Sequence, residues 1–283
     1  MLRIAIQSKG RLYEESMALL EEAGIKIPGG KRTLLVPARN FPVEVLFLRD
    51  EDIPESVASG VADVGIVGLN EVMEKRCPVG ILKKLGFGKC RLSLAIPQDI
   101  DYQDRNWFSG KKIATSYPGI LSDYLHKNGI VSDIHVITGS VEIAPGIRLA
   151  DAIFDIVSSG STLVSNRLKE VETVVESEAV LIGTDSISPE KRGILDELLF
   201  RFDSVQAADD KKYILMNVPQ KKLNDVLSVL PGIKSPTVMP LADKEWCSVH
   251  TVLDEKCFWE IINRLKTAGA EGILVLDIEK MIL

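Results

Sequence analysis

The stretch Ser158-Ser159-Gly160-Ser161-Thr162 has the composition of a loop that binds an anion. Hydroxyl-bearing residues surround one glycine, and the short apolar stretch Asp155–Val157, which predicts a buried strand, precedes them. Small residues let a ligand approach the backbone, and hydroxyl and amide groups donate hydrogen bonds to phosphate oxygens. We expect the loop to open a helix with Ser161 or Thr162 as its N-cap. The pattern therefore indicates a site for a phosphate monoester.

Two acidic residues precede this loop, four positions apart. The run Ile147–Phe154 has apolar residues at helical spacing, so a helix is predicted to enter the short strand there. Asp151 and Asp155 could then accept hydrogen bonds from two vicinal hydroxyls of a sugar. Together the acids and the loop predict a ribose-phosphate site. The alternative is an aspartate cap and a polar strand-to-helix turn without a ligand.

The longer stretch around these residues resembles the signature of the ATP phosphoribosyltransferase family. It reads GSVEIAP over 139–145 and LADAIFDIVSSGSTL over 149–163, and the resemblance extends from Leu2 to Met281. The family joins ATP to phosphoribosyl pyrophosphate in the first step of histidine biosynthesis. The resemblance implies transfer to N1 of ATP with Mg²⁺ as cofactor and with release of pyrophosphate. It also implies that Ser158–Thr162 hold the 5-phosphate and that Asp151 and Asp155 hold the ribose.

A basic turn near the N-terminus is the second candidate for phosphate binding. Lys9-Gly10-Arg11 follows a strand pattern over Leu2–Ile6 and precedes a helix pattern over Leu12–Ala23. The turn from a strand to a helix is the usual ligand position in an α/β sheet. Solvated basic residues are the alternative. The similar KGRL-like turn of the resembled family favours a role in binding the polyphosphates, with Arg49 and Arg91 as further cations.

Two other residues have less specific surroundings. Tyr117 lies in the predicted turn Thr115–Gly119, where it could stack on a purine or pack as an ordinary turn aromatic. Glu142 could contact substrate or a metal ion, or be a solvated acid. No side chain is predicted to act as an acid or base, because N1 of ATP can attack without one. Catalysis would consist of positioning and of charge stabilisation of the leaving pyrophosphate.

Composition limits the class of protein. The 283 residues suit two or three domains, and the net charge of −6 argues against a general nucleic-acid surface. The N-terminus does not resemble a signal peptide and no apolar run reaches membrane-spanning length, so we expect a cytoplasmic protein that is not bound to a membrane. Cysteines stand in no CxxC pair, which predicts reduced thiols; they are Cys77, Cys90, Cys247 and Cys257.

A short internal repeat predicts two similar lobes. Asp63–Gly68 has the pattern of Asp155–Gly160, and each segment reads as a buried strand between helices. The repeat suggests duplicated α/β lobes around a cleft, which is the architecture of type II periplasmic-binding-protein-like folds. Lobe I is predicted over 1–91 and 176–205, with Arg32–Pro37 among its strands, and lobe II over 92–175.

The C-terminal part reads as a separate domain. A helix beginning at Ser188-Pro189 is predicted to end at Phe202, and Asp203–Lys212 reads as a linker. Residues 206–283 follow the order βαββαβ, which is the ferredoxin-like pattern. The resemblance implies that this domain binds histidine as a feedback inhibitor and that dimers of the chain assemble into hexamers. Candidate residues for the histidine pocket are Thr237, Leu241, Ser248 and His250.

Two other functions remain open from the residues alone. One is a small-anion binding protein with the same two-lobe fold and no turnover, although the paired aspartates suit a sugar better than a bare anion. The other is the effector module of a transcription regulator, which is disfavoured because no helix-turn-helix pattern precedes Leu2.

Overall fold

The computed structural model describes residues 1–28, 34–231 and 236–282, which form two compact units over 1–197 and 198–283. The strands of the first unit are β1 (Leu2–Gln7), β2 (Leu35–Pro37), β3 (Val43–Leu48), β4 (Val64–Gly68), β5 (Gly80–Lys84), β6 (Cys90–Pro97), β7 (Lys112–Thr115), β8 (Asp133–Val136), β9 (Ala152–Val157), β10 (Leu168–Ser177) and β11 (Ala179–Gly183). Its helices are α1 (Arg11–Glu22), α2 (Ile53–Ala58), α3 (Leu69–Lys75), α4 (Pro118–Lys127) and α5 (Ser161–Ser165). The predicted strand Arg32–Pro37 is seen from Leu35, and its first two residues lie outside the described part.

The first unit contains two sheets of matching topology. One has the strand order β2-β3-β1-β4-β11-β5 and the other has the order β10-β6-β9-β7-β8. In each sheet three parallel strands are followed by an antiparallel one, which is β11 beside β4 and β6 beside β9. β4 therefore occupies in lobe I the place that β9 occupies in lobe II. The predicted duplication is confirmed, and the first unit has the two-lobe, periplasmic-binding-protein-like fold.

This topology determines where a ligand can bind. The parallel strands of lobe I end at Gln7, Leu48 and Gly68, and those of lobe II end at Thr115, Val136 and Val157. Ligands of open α/β sheets bind beyond these carboxyl ends. The chain crosses between the two sheets twice, through residues 85–89 and through Glu178.

The central strands are buried because helices cover the sheets. In lobe I the buried cluster joins Ile53 and Val57 of α2 to Val67 and Ile182 of the sheet. The packing is close, since a Cβ atom on Gly65 would lie 2.6 Å from the side chain of Ile53. Buried strands of this kind read as continuous apolar runs, which is why β4 could be predicted from sequence.

The helix predicted over Ile147–Phe154 is wrong. Residues 144–148 form turns, and β9 already begins at Ala152, where it pairs in parallel with β7. Arg148 has a φ of 60°, which an α-helix does not allow, and Ile147 is 63% exposed. The helical spacing arose because Ile147 in a turn, Ala150 shortly before β9 and Phe154 within β9 are all apolar.

The second unit is a four-stranded antiparallel sheet covered by two helices. Its strands are β12 (Lys211–Pro219), β13 (Thr237–Pro240), β14 (Trp246–Asp254) and β15 (Glu271–Asp277); the helix that leads into it is α6 (Pro189–Ala208), and the two within it are α7 (Leu223–Val229) and α8 (Glu255–Ala268). The sheet order β13-β14-β12-β15 with connectivity βαββαβ is the ferredoxin-like fold, as predicted. Phe258, Ile261 and Leu265 of α8 form its buried stripe.

The predicted linker Asp203–Lys212 is also wrong. α6 starts where predicted, with the Lys191 amide donating to Ser188 Oγ at 3.4 Å, but it continues to Ala208. Phe202, Val205 and Ala208 form a buried stripe at helical spacing, although polar residues separate them. The boundary predicted between 205 and 206 therefore falls inside a helix.

Among the described residues, no helix is long and apolar enough to cross a membrane. All four cysteines carry free thiols, as predicted.

Candidate active site

The predicted anion-binding loop follows the carboxyl end of β9. Its helix α5 begins at Ser161, and Gly160, not Ser161 or Thr162, occupies the N-cap position with φ 80° and ψ −1°. The Ser161 amide donates to Ser159 Oγ at 3.4 Å, and the two serine hydroxyl oxygens lie 3.0 Å apart. Because α5 has only five residues, its dipole is small. Hydroxyl and amide groups are the donors that this loop offers to an anion.

Asp155 lies near the same end of β9 and is half-buried. The Ile156 amide donates to Asp155 Oδ1 at 2.8 Å. Burial raises the pKa of Asp155, the hydrogen bond from the Ile156 amide lowers it and the carboxylate of Glu142 raises it, and the resulting pKa is about 6. At neutral pH Asp155 is therefore a charged hydrogen-bond acceptor beside the loop.

The structure does not bring Asp151 to this loop. Asp151 precedes β9 at its amino end, where its carboxylate accepts the Lys112 amide at 2.8 Å at the start of β7. Because a strand advances about 3.3 Å per residue, four positions separate the two acids by about 13 Å. The pairing with Asp155 relied on the helix that is absent, and Asp151 has the role of a cap in the sheet.

Tyr117 is packed rather than presented to a ligand. Its side chain is 8% exposed and belongs to the core of lobe II, and its hydroxyl donates to Glu71 Oε1 at 2.9 Å. The backbone amides of Gly119 and Ile120 donate to the Glu74 carboxylate at 2.8 and 2.9 Å. Both acids lie on α3 of lobe I, so these contacts join α3 to the start of α4 across the lobes. The structure favours the packed alternative for Tyr117.

The basic turn lies on the lobe I side of the cleft. Gly10 has a φ of 91° and precedes α1, while Lys9 and Gly10 are exposed. Arg11 donates to the Lys89 carbonyl at 3.4 Å and lies 3.9 Å from Glu15. Arg49 follows β3 with an exposed side chain. These cations follow neighbouring strands at one edge of the lobe I sheet.

Arg91 and Lys89 border the cleft where the lobes connect. A cavity of about 440 Å³ there is lined by residues of both crossings and by the first loop residue, Ser158. Lys89 is a cation that was not predicted from the sequence, although its position two residues before Arg91, in the segment that crosses between the sheets, was an available indication. Arg91 contacts the carboxylate of Glu170 and the carbonyl of Ser158.

Two buried acids of lobe I were also missed. Asp50 Oδ1 is buried and has no hydrogen-bond partner among the described residues. Burial, and then the carboxylates of Glu71 and Glu51, raise the pKa of Asp50 to about 7. Burial likewise raises the pKa of Glu71. Neither acid was predicted from the sequence.

Asp50→Asn is expected to stabilise the protein at pH 8. Because the pKa of Asp50 rises from 3.8 to about 7 on folding, the folded state binds more protons between these values and stability falls as pH rises through them. Removing the charge should raise the free energy of unfolding by roughly 2–4 kcal/mol at pH 8 and by almost nothing at pH 4. Thermal or urea unfolding at both pH values measures this.

The matched control for this prediction is the exposed neighbour Asp52, where Asp52→Asn should leave the pH dependence unchanged. A gain in Asp50→Asn that is equal at pH 4 and pH 8 would contradict the electrostatic explanation.

The described residues contain no group of three or more His, Cys, Asp or Glu side chains that could hold a metal ion. The carboxylate of Glu142 is close enough to Asp155 to raise its pKa.

Sequence comparison finds relatives over the entire chain. The family described as ATP phosphoribosyltransferase matches residues 49–204, and the family described as HisG, C-terminal domain, matches residues 208–280. A protein of Bacteroides fragilis named ATP phosphoribosyltransferase is 70% identical over 283 residues, covering 100% of both chains. One of Cytophaga hutchinsonii with the same name is 57% identical, covering 99% of this chain and 98% of its own.

Structure comparison agrees with the two-lobe fold. A chain of the ATP phosphoribosyl transferase (HisG:HisZ) complex from Thermotoga maritima superimposes with a TM-score of 0.61 at 27% sequence identity. The match covers 71% of this chain and 98% of that one.

Proposed function

Because this chain belongs to the ATP phosphoribosyltransferase family, we propose that it transfers the phosphoribosyl group of phosphoribosyl pyrophosphate to N1 of ATP. The observation that carries this proposal is the hydroxyl-rich loop Ser158–Thr162 beside the half-buried, charged Asp155 at the carboxyl end of β9. An acceptor for sugar hydroxyls thus adjoins donors for a phosphate. The product would be phosphoribosyl-ATP, the first intermediate of histidine biosynthesis.

Each group has a role in this reaction. Ser158–Thr162 bind the 5-phosphate, and Asp155 accepts hydrogen bonds from the ribose hydroxyls, which are strengthened by its charge. Lys9, Gly10, Arg11 and Arg49 face the polyphosphates from lobe I. The lone pair of N1 forms the bond to C1 of the ribose while the bond from C1 to the pyrophosphate oxygen breaks and leaves its electron pair there. The protein's contribution is positioning and charge stabilisation.

Mg²⁺ is the proposed cofactor. This ion prefers oxygen ligands and commonly binds one or two carboxylates together with substrate phosphates. Glu142 and Asp155 are carboxylates of this kind beside the loop. When bound, Mg²⁺ supplies positive charge to the leaving pyrophosphate.

The ferredoxin-like unit is proposed to bind histidine as a feedback inhibitor. Around His250, the hydroxyl oxygen of Tyr213 lies 2.6 Å from Nδ1, and Ser248 Oγ lies 2.9 Å from Nε2. Thr237 pairs with His250 across β13 and β14, and Leu241 closes the hairpin by donating to the Trp246 carbonyl at 3.2 Å. These residues supply donors and acceptors that could recognise the ammonium, carboxylate and imidazole groups of a free amino acid.

Assembly into dimers and hexamers is proposed for the same unit. The strand β15 lies at the edge of its sheet, and Leu274, Val275 and Leu276 on it are each more than 40% exposed. Such an apolar edge is suited to contact with another copy. Light scattering at several protein concentrations, with and without histidine, tests the assembly.

Incubation of the protein with ATP, phosphoribosyl pyrophosphate and Mg²⁺ tests the proposed reaction. Pyrophosphate should appear only when all three are present, together with a product whose ultraviolet spectrum differs from that of ATP. Binding of phosphoribosyl pyrophosphate in calorimetry without pyrophosphate release would instead indicate a binding protein without turnover.

Gly160→Ala is expected to weaken the binding of phosphoribosyl pyrophosphate by about 5- to 30-fold and that of ATP by less than twofold. A Cβ atom would meet only Val157, at 4.0 Å, so the cost is backbone strain at φ 80° rather than a clash. Such strain amounts to about 1–2 kcal/mol. Calorimetric titration with each ligand measures the difference.

Gly129→Ala provides the matched control. Gly129 also lies in lobe II, with φ 67° and open space around it, but it follows α4 away from the loop. If both variants weakened both ligands equally, the loop would not be a dedicated phosphate site.

A further inference from the structure

The phosphate-binding loop is tied to the lobe II sheet through one guanidinium group. Arg91 Nη1 donates to the carbonyl of Ser158 at 3.2 Å, at the start of the loop. Arg91 Nε and Nη2 donate to the two carboxylate oxygens of Glu170 at 2.6 and 2.5 Å. A bidentate pair of this kind fixes the plane of the guanidinium. The orientation of the group that holds Ser158 is therefore set by Glu170.

Glu170 is itself held in place by further donors. Its Oε1 accepts Ser93 Oγ at 2.7 Å and Thr173 Oγ1 at 3.1 Å. Ser93 is buried in β6, and β10 pairs with β6 along its length. Hydrogen bonding from Arg91, and then from Ser93 and Thr173, lowers the pKa of Glu170 to about 2, so the carboxylate stays ionised. The sheet thus supplies a fixed negative charge.

This arrangement also changes what Arg91 can do. The charge of Arg91 is balanced by Glu170, and three of its nitrogen donors point to Glu170 and to the Ser158 carbonyl. The sequence predicted Arg91 as a cation for the polyphosphates. A guanidinium already paired in this way is better suited to holding the loop than to binding a phosphate.

We propose that Glu170 is a positioning residue, which orients Arg91 so that Arg91 fixes the Ser158 carbonyl and with it the conformation of the loop 158–162. The proposal rests on the proposed function, because it concerns binding of the 5-phosphate by this loop. Glu170 itself does not contact the substrate.

Glu170→Gln tests the proposal by the direction in which the KM for phosphoribosyl pyrophosphate changes. The amide keeps the size of the side chain but cannot accept both guanidinium bonds, so the loop should lose its fixed conformation. The KM for phosphoribosyl pyrophosphate should rise about tenfold, and the KM for ATP should change less than twofold. If Arg91 were a direct phosphate ligand, freeing it from Glu170 would lower the KM for phosphoribosyl pyrophosphate, and that result would overturn the proposal.

Glu172→Gln is the matched control on the same strand. Glu172 accepts the hydroxyls of Tyr102 at 2.7 Å and Tyr124 at 3.4 Å, away from the loop. Glu172→Gln makes the same change of charge in β10, yet the KM of this variant for phosphoribosyl pyrophosphate should stay within twofold of the wild-type value. An equal rise in both variants would show a general effect of the strand and would overturn the proposal.

A double-variant cycle tests whether Glu170 acts through Arg91. In an Arg91→Met background, Glu170→Gln should change the KM for phosphoribosyl pyrophosphate less than twofold further. A full additional tenfold loss would show that Glu170 acts independently of Arg91 and would refute the proposal.

Two further measurements distinguish the positioning role of Glu170 from an effect on folding and from a failure of the proposed function. Glu170→Asp keeps the charge, and its KM should lie between those of the wild type and Glu170→Gln in a protein that melts normally. Calorimetric binding of phosphoribosyl pyrophosphate repeats the comparison without turnover. An inactive wild-type protein that still binds this ligand would contradict the proposed function alone, whereas unchanged binding in Glu170→Gln would contradict the positioning role.

Discussion

Asp155→Asn is expected to lower kcat/KM for phosphoribosyl pyrophosphate by about 10- to 150-fold while the protein stays folded. The amide keeps the size of the side chain but removes the charge that strengthens hydrogen bonds to the ribose hydroxyls. A charge-assisted hydrogen bond contributes about 1.5–3 kcal/mol, which corresponds to this range. Steady-state kinetics beside a thermal melt measures both expectations.

Asp151→Asn is the matched control, since Asp151 lies at the other end of β9 and caps the Lys112 amide. We expect it to leave kcat/KM within about threefold and to affect stability only. Equal losses of kcat/KM in the two variants would show that the position of the acid along β9 does not determine its effect on the reaction. Unchanged kinetics in Asp155→Asn would remove Asp155 from the site.

The same residue predicts a pH dependence. Burial and Glu142 raise the pKa of Asp155 to about 6, so the carboxylate is ionised above this pH and protonated below it. The protonated acid lacks the charge that binds the ribose, and kcat/KM for phosphoribosyl pyrophosphate should fall as pH drops from 7 to 5. Asp155→Asn should lose this acidic limb. A limb that persists unchanged in the variant belongs to another group.

His250→Ala is expected to raise the histidine concentration needed for inhibition by about 5- to 150-fold, because it removes two hydrogen bonds of about 0.5–1.5 kcal/mol each from the proposed pocket. The variant removes a ring whose two nitrogens contact Tyr213 and Ser248 at the proposed pocket. The uninhibited rate should not change, because the proposed catalytic residues all lie in the first unit. Inhibition curves for wild type and variant measure the shift.

His135→Ala in β8 of lobe II serves as the control, and its inhibition curve should match that of the wild type. Undiminished inhibition of both His250→Ala and Ser248→Ala would place the histidine site elsewhere. Point variants test the proposed histidine site more directly than removal of all residues after Phe202. Such a cut would divide α6 and expose the buried Phe202.

Local sequence was sufficient for the elements that local interactions define. The strand Val43–Leu48 has the predicted bounds, and α1 starts and ends within one residue of its prediction. The apolar periodicity of α8 and the order of elements in the second unit identified its fold. The hydroxyl-rich loop could also be recognised, because its chemistry depends on neighbouring residues in the chain. In α6, by contrast, polar residues between Phe202 and Val205 concealed a buried stripe.

Only the tertiary structure decided which distant groups meet. Arg91 and Glu170 are 79 residues apart, and their contact depends on the register of β6 against β10, which neither segment specifies alone. The separation of Asp151 from Asp155 depends on strand rather than helix geometry, set by pairing with β7. The raised pKa of Asp50 follows from burial beside Glu71, a residue from another element. Sequence therefore determined the chemical groups available, whereas packing determined their neighbours and their charge.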